Sequence, residues 1–290
     1  MVDMKQAVHL NDYEIVDTLD NEKLERIGEV TLRRPDALAK GPVSDGNLWS
    51  RPTVHYQRKN NQEGTWITHR PLPEPWLFHF NGLEFKLFLS NNKHIGVFFE
   101  QANNWTWLSH SILSARRPIR VLNLFGYTGV ASLVAMKAGA VEVVHVEASK
   151  SIINVFKENR SLNNMNEAPI RPIQEDAFKF VEREIKRGHH YDLIVLDPPK
   201  FGKGPNNEQW HLDKHLESLL ERINVLLSDD AFGVLLSSYS DSLSAKDIEL
   251  MLKRSFEKRK KTIEILEWEL PITHKTTTLS AGLSARIIFK

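Results

Sequence analysis

The sequence predicts an α/β domain built on a seven-stranded, mostly parallel sheet whose last strand runs antiparallel, preceded by a β-rich N-terminal lobe. Three observations carry that reading. From Arg116 onward, short apolar runs alternate with helix-length amphipathic stretches, the grammar of right-handed βαβ units. Before it, apolar-alternating runs are broken by Asn, Gly and Pro clusters, which suits hairpins. In the second half, acidic residues recur directly after the apolar runs, where strands of an open sheet present their carboxyl ends.

Taken in order, "YEIVDTLD", "WITHRPL", "LEFKLFLS" and "HIGVFFEQ" are the strand-like runs of the lobe, separated by "KNNQEGT", "FNG" and "SNNK". Five of the seven tryptophans fall between Trp49 and Trp107, enough for an aromatic core. In the second half strands are expected at 120–125, 141–146, 170–173, 193–196, 232–237, 263–269 and 283–289. Helices are expected near 129–138, 150–162, 177–187, 210–227 and 243–259. The last two strands have no helix between them, hence the antiparallel final strand. The division expected is a lobe over 1–110, suited to substrate recognition, and an α/β domain over 111–290.

Composition sets few limits. The chain has 290 residues, 41% of them apolar, and a formal charge of +1, so charge alone demands no nucleic-acid partner. Residues 1–110 carry 12 Lys and Arg against 14 Asp and Glu, which is no basic clamp. There is no cysteine, which removes disulfides, thiolate–zinc sites and thiol nucleophiles. The start, "MVDMKQAVHLNDYE", has no apolar signal region, and no run approaches a membrane span, so a soluble cytoplasmic protein is expected. No histidines stand at a metal-ligand spacing backed by carboxylates, so no metal is expected.

The chemistry concentrates at "LNLFGYTGVASLVAMKAGAVEVVHVEAS". Strand 120–125 runs into Gly126 and Gly129, which let backbone approach a ligand, and the helix that follows turns its positive end toward a carboxylate or phosphate. Glu147 ends the next strand, 21 residues after Gly126, where a carboxylate can accept from both ribose hydroxyls. A nucleoside-containing ligand fits. The dinucleotide fingerprint needs a middle glycine to make room for pyrophosphate, and Thr128 stands there instead. That favours S-adenosyl-L-methionine over a nicotinamide dinucleotide. "QEDAFKF" then places Asp176 where it can accept from an adenine amino group, and "YDLIVLDPPKFGKG" places Asp197-Pro198-Pro199 after the fourth strand. Two prolines fix φ, remove two donors and leave carbonyls turned to the cleft, where a target amine could bind.

With those residues on the page, the sequence resembles a class I, Rossmann-like, S-adenosylmethionine-dependent methyltransferase. More narrowly, it resembles the bacterial 23S rRNA large-subunit methyltransferases that modify cytosine or guanine. The resemblance covers about residues 94–290 and rests on "GVFFEQ", "VLNLFGYTG", "VEASKSIINVFKENRSLNNM", "EDAFKFV" and "YDLIVLDPPKF". It implies Asn123, Phe125, Gly126, Tyr127, Thr128 and Gly129 around the methionine part and Glu147 with Ala148 at the ribose. It puts Glu175, Asp176 and Ala177 at the adenine, with Gln101 also reaching the cofactor, and Asp197, Pro198, Pro199, Lys200 and Phe201 at the reaction site. Asn159 and Asn163 match a recurring pair read here as structural. The partner implied is RNA, an rRNA base. Two departures weigh against that: Ala102 stands where the family continues with arginine, and the residues before Asp12 are too few for the separate RNA-binding domain of longer relatives.

Methyl transfer from a sulfonium is an in-line displacement needing positioning and exclusion of water. Attack by pyrimidine carbon 5 uses a cysteine in known enzymes, so its absence leaves nitrogen or oxygen acceptors. In amino-methylating enzymes an aromatic residue follows Asp/Asn-Pro-Pro and stacks on a flipped base. Lys200 occupies that position here, so Phe201 is expected on a planar substrate with Lys200 facing its acidic parts. "RRPIR" and "KRSFEKRKK" read as charged faces or junctions, and "THKTTTLSAG" as a loop able to close over the cleft with His274 and Lys275 on phosphate. Methylation of a protein or small molecule, a nicotinamide-dependent oxidoreductase and a non-catalytic binding module remain alternatives.

Overall fold

The computed structural model describes residues 8–59, 64–239 and 243–290, which fall into two compact units. One contains residues up to 102 together with 268–281; the other contains 103–267 and 282–290.

The first unit holds β1 (Tyr13–Leu19), β2 (Glu22–Ile27), β3 (Val30–Pro35), the short α1 (Gly46–Ser50), β4 (Val54–Arg58) and β5 (Gly64–Thr68). These five strands form one sheet in chain order, antiparallel except for the β3–β4 pair. A separate hairpin pairs β6 (Leu77–Phe80) with β7 (Leu83–Lys86). Inside the sheet Glu25 is fully buried, clasped by Arg34 through two bonds of 2.6 and 2.7 Å and by the Tyr13 hydroxyl at 2.8 Å. Burial alone would raise the Glu25 carboxyl; the charges of Arg34 and Lys23 outweigh it and hold it at about 2. "HIGVFFEQ", expected as a strand, is not one. Gly96 takes φ +97°, which breaks the extended run, and the chain enters a 3₁₀ turn over Phe99–Gln101.

The second unit begins in α2 (Ala102–Ser114), a helix the alternation rules missed. Then follow β8 (Arg120–Leu124), α3 (Val130–Lys137), β9 (Glu142–Glu147), α4 (Lys150–Leu162), β10 (Ile170–Gln174), α5 (Ala177–Arg187) and β11 (Leu193–Leu196). A small hairpin, β12 (Phe201–Lys203) and β13 (Gln209–His211), precedes α6 (Leu212–Leu226), β14 (Gly233–Ser238) and α7 (Ala245–Ser255). The chain closes with β15 (Lys261–Pro271) and β16 (Thr278–Phe289). Sheet order is β10-β9-β8-β11-β14-β16-β15, with β16 antiparallel to β14 and the first five strands parallel.

The predicted seven-stranded sheet is therefore present, final antiparallel strand included. Its local causes are plain. β11 and β14 are apolar or small and buried at every position, the mark of strands covered on both faces. α6 buries Leu212, Leu216, Leu219, Leu220, Ile223 and Leu226, a helical stripe facing the sheet. α5 starts on an Asp176 cap that accepts from Lys179 N and stops at Gly188 with φ +66°. Order reverses between β8 and β11: β9 lies on one side of β8 and β11 on the other, which opens a crevice at their carboxyl ends.

Candidate active site

Parallel register assembles the site. Leu124 pairs with both Val146 and Leu196, and Gln174 pairs with Glu147, so β8, β9, β10 and β11 finish at one level. The residues immediately beyond are Phe125 to Gly129, Glu147 with Ala148, Glu175 with Asp176, and Asp197 to Phe201. The loops are tied to one another by Gly126 N to Val146 O (2.9 Å), Glu175 N to Glu147 O (3.2 Å) and Asp197 N to Leu124 O (3.4 Å). Strand-end positions scattered over 73 residues of sequence, from Phe125 to Asp197, thus share one sheet edge.

The turn after β8 is strained and tightly packed. Phe125 and Tyr127 both adopt left-handed φ, 57° and 49°, a conformation bulky side chains avoid and surroundings must enforce. The two glycines also serve that packing. A Cβ on Gly126 would enter the His145 imidazole, and one on Gly129, at φ +91°, would enter the Phe156 ring. Those two rings stack at 4.0 Å and 9° beneath the turn. Asn123 and Thr128 belong to the same floor. Asn123 is buried with its Nδ2 donating to Ser132 Oγ (2.9 Å), and the Thr128 carbonyl accepts from buried Asn159 Nδ2 (2.9 Å). Asn163 Nδ2 donates to Asn159 O (2.8 Å), so the asparagine pair is indeed structural. His145 is fully buried, 3.0 Å from Ser132 Oγ through Nδ1, and burial depresses it to about 3, so it is neutral.

Glu147 is oriented rather than neutralised. Oε2 accepts from Tyr127 N (3.1 Å) and Oε1 from Ser149 N (2.8 Å). Burial raises its pKa, and the backbone N–H groups of Ser149, Tyr127 and Ala148 offset part of that. Each oxygen keeps acceptor capacity beyond its backbone bond. Asp176 caps α5, with Oδ1 accepting from Lys179 N at 3.0 Å. Glu175 forms a two-pronged ion pair with Arg183 (2.7 and 2.5 Å). Ala177 is buried at the first position of α5.

Beyond β11 the Pro199 carbonyl accepts from Trp210 Nε1 at 2.7 Å. Trp210 is buried and its ring packs on Phe125 at 4.9 Å. Lys200 O accepts from Leu212 N (3.0 Å), closing the base of the hairpin. At the hairpin's far end Glu208 meets Lys179 at 2.5 Å, a contact that holds the carboxyl at about 2. Pro198 is buried, Pro199 and Lys200 are exposed, and Phe201 is 61% exposed, edge-on to His211 at 5.2 Å. Sequence reasoning missed this hairpin and Trp210, whose partners lie 11 and 85 residues away.

Gln101 is buried in the 3₁₀ turn of the first unit. The basic stretches find structural duties. In "KRSFEKRKK", Arg259 caps the end of α6 through Asn224 O, Leu227 O and Ser228 O, while Lys261 Nζ donates to Phe256 O. Arg117 and Arg120 of "RRPIR" pair with Asp192 and Glu142. The loop expected to close over the cleft makes bonds inside the first unit. Thr273 N and His274 N bond to Ile15 O and Val16 O, and Lys275 Nζ sits on Thr18 Oγ1 (2.8 Å) and Asp17 (3.3 Å), all within the first unit. No helix among the described residues is long and apolar enough to cross a membrane.

Comparison with known proteins decides the family. The sequence profile of the S-adenosylmethionine-dependent methyltransferases matches residues 25–287. The chain belongs to that family. A SAM-dependent methyltransferase of known structure from Agrobacterium tumefaciens is 36% identical with TM-score 0.92, covering 98% of this chain and 92% of that one. SMU.776, solved in complex with SAH, shares the fold at 19% identity with TM-score 0.77, covering 98% and 76%. Ribosomal RNA large subunit methyltransferase I of Aeromonas salmonicida is 33% identical over 159 residues, 54% of this chain; the match spans 39% of the relative's length.

The methyltransferase site fits its cofactor on its own geometry. A half-buried carboxylate, Glu147, is held by two backbone donors at a strand end, with lone pairs left for ribose hydroxyls. The first N–H groups of α3, directly after the turn, have no acceptor within the helix and suit the methionine carboxylate.

Proposed function

We propose that the protein transfers the methyl group of S-adenosyl-L-methionine to a nitrogen of an RNA base, an rRNA base in particular, without a covalent enzyme intermediate. The observation that supports it most is the shared level of Glu147, Asp176 and Asp197 beside the turn after β8. Glu147 would take the ribose, Asp176 and Ala177 the adenine end, and the turn with the start of α3 the methionine. When bound, the cofactor supplies an electrophilic methyl group on a sulfonium. Asp197 accepts an N–H of the target amine, aims its lone pair and draws off the proton released as the N–C bond forms. The buried Pro198 keeps water from that side. With no cysteine in the chain, addition to a pyrimidine ring by a thiolate is closed.

RNA is supported by the names of relatives and by the hairpin. Phe201 presents an exposed ring, with Lys200 Nζ 6.0 Å from its centroid and Lys203 exposed on the same short strand, a stacking surface with phosphate-neutralising charge. The lobe over 1–110 contributes no such excess and would select by shape. The test is nucleoside mass spectrometry on RNA from cells with and without the gene. One methylated base is expected to vanish; an unchanged inventory moves the acceptor to a protein or small molecule. Phe201→Ala is expected to raise KM for RNA about 10-fold with cofactor affinity unchanged, as loss of one base–aromatic stack implies. An unaltered KM refutes the stacking role.

A further inference from the structure

We infer that Trp210 is a positioning residue for methyl transfer: its indole N–H fixes the Pro199 carbonyl while its ring braces Phe125, so one side chain sets the acceptor loop against the cofactor turn. The inference rests on the methyltransferase reading and deepens it.

Pro198 and Pro199 have no N–H to donate, so within the loop after β11 the backbone of these two residues can be tied down only through their carbonyls. Its entry is held by Asp197 N to Leu124 O at 3.4 Å, a long bond. Its exit is held by Lys200 O, which accepts from Leu212 N. The middle is held by Trp210, through the 2.7 Å bond to Pro199 O. Trp210 is 5% exposed while Pro199 is exposed, so the bond is partly buried with its donor on the inside.

The same ring lies 4.9 Å from Phe125, whose left-handed backbone marks the turn beside which the cofactor's methionine is proposed to lie. Gly202 lets the hairpin close on this arrangement: a Cβ there would meet Pro199 and Trp210 at 3.3 and 3.7 Å.

The consequence is chemical. The Trp210 N–H occupies one lone pair of the Pro199 carbonyl and fixes its direction, so an amine entering beside Asp197 meets a loop held in one position. Release of Pro199 would loosen Asp197, and in-line displacement tolerates such misplacement poorly.

The decisive variant replaces Trp210 with 3-benzothienylalanine by site-specific incorporation. The ring shape is kept and the N–H donor is replaced by sulfur. Three readouts apply: S-adenosylhomocysteine affinity, hydrogen exchange at the amides of Lys200, Phe201, Gly202 and Leu212, and methyl transfer to RNA from a strain lacking the gene. Unchanged affinity is expected, with faster exchange at those four amides and wild-type exchange in β9 and β10. In turnover, kcat falls about three- to tenfold, the worth of one buried hydrogen bond, with KM for cofactor unchanged. Trp210→Phe, which also lacks the donor, should show the same faster exchange in the loop and the same fall in kcat. Wild-type exchange in the loop, or wild-type kcat, overturns the inference. If the unaltered protein binds no S-adenosylhomocysteine, or methylates no RNA, the functional reading fails instead, and the exchange rates still decide whether the indole holds the loop.

Discussion

Gly126→Ala separates two explanations of a glycine turn. If the glycine exists so that a ligand can approach, its replacement leaves the empty protein as stable as before and weakens cofactor binding. The structure adds a packing cost. Gly126 does not occupy the left-handed region, so alanine brings no backbone strain there, yet its Cβ would enter the His145 ring and press on Asn123. His145 cannot retreat: it is fully buried, stacked on Phe156 and bonded to Ser132. Inserting a methyl group into such a site costs about 1–3 kcal/mol. At roughly 2–4 °C per kcal/mol for a domain of this size, the melting temperature should fall by about 2–12 °C. Calorimetry or near-ultraviolet dichroism on the cofactor-free protein measures it. The cycle is completed with His145→Ala, which opens the space: in that background Gly126→Ala should cost almost nothing further. A Gly126→Ala protein that melts with the wild type but has lost cofactor affinity refutes the packing explanation.

Glu147→Ala should weaken S-adenosylhomocysteine binding at least about tenfold by calorimetry, since a carboxylate bond to a hydroxyl contributes about 1.5–3 kcal/mol; undiminished affinity removes Glu147 from the ribose. His145 makes stability pH-dependent in a defined direction. Its folded value near 3 lies below the ordinary 6.5, so the unfolded chain binds the extra proton between them, and stability falls as pH drops from 6.5 toward 3. The slope should approach about 1.4 kcal/mol per pH unit from this group alone, and His145→Gln should lose it in denaturant titrations at several pH values; an unaltered slope places the effect elsewhere.

Legibility of the fold followed locality. β11 and the helix stripe of α6 could be read because each states its burial in its own composition: "LIVL" has no solvent face, and Leu216, Leu219, Leu220 and Ile223 repeat at helical spacing. α2 could not, since "ANNWTWLSHSILS" carries no capping signal and its aromatic residues suit strand as well as helix. β12 and β13 are three residues each, too short for any period. They persist because Trp210 reaches Pro199 and Glu208 reaches Lys179.

The site shows the same division more sharply. Glu147, Asp176 and Asp197 are visible in sequence because parallel strands deliver their next residue to a known edge, whatever the rest of the protein does. The two glycines are visible for the same reason, but their purpose is not. It depends on His145 and Phe156, 19 and 27 residues beyond Gly126 and Gly129, being stacked where the missing methyl groups would go. A ligand site of this kind is written locally in the residues that touch the ligand and non-locally in those that hold them still. Trp210 belongs to the second kind, and so a sequence pattern that finds the carboxylates passes over the side chain that aims one of them.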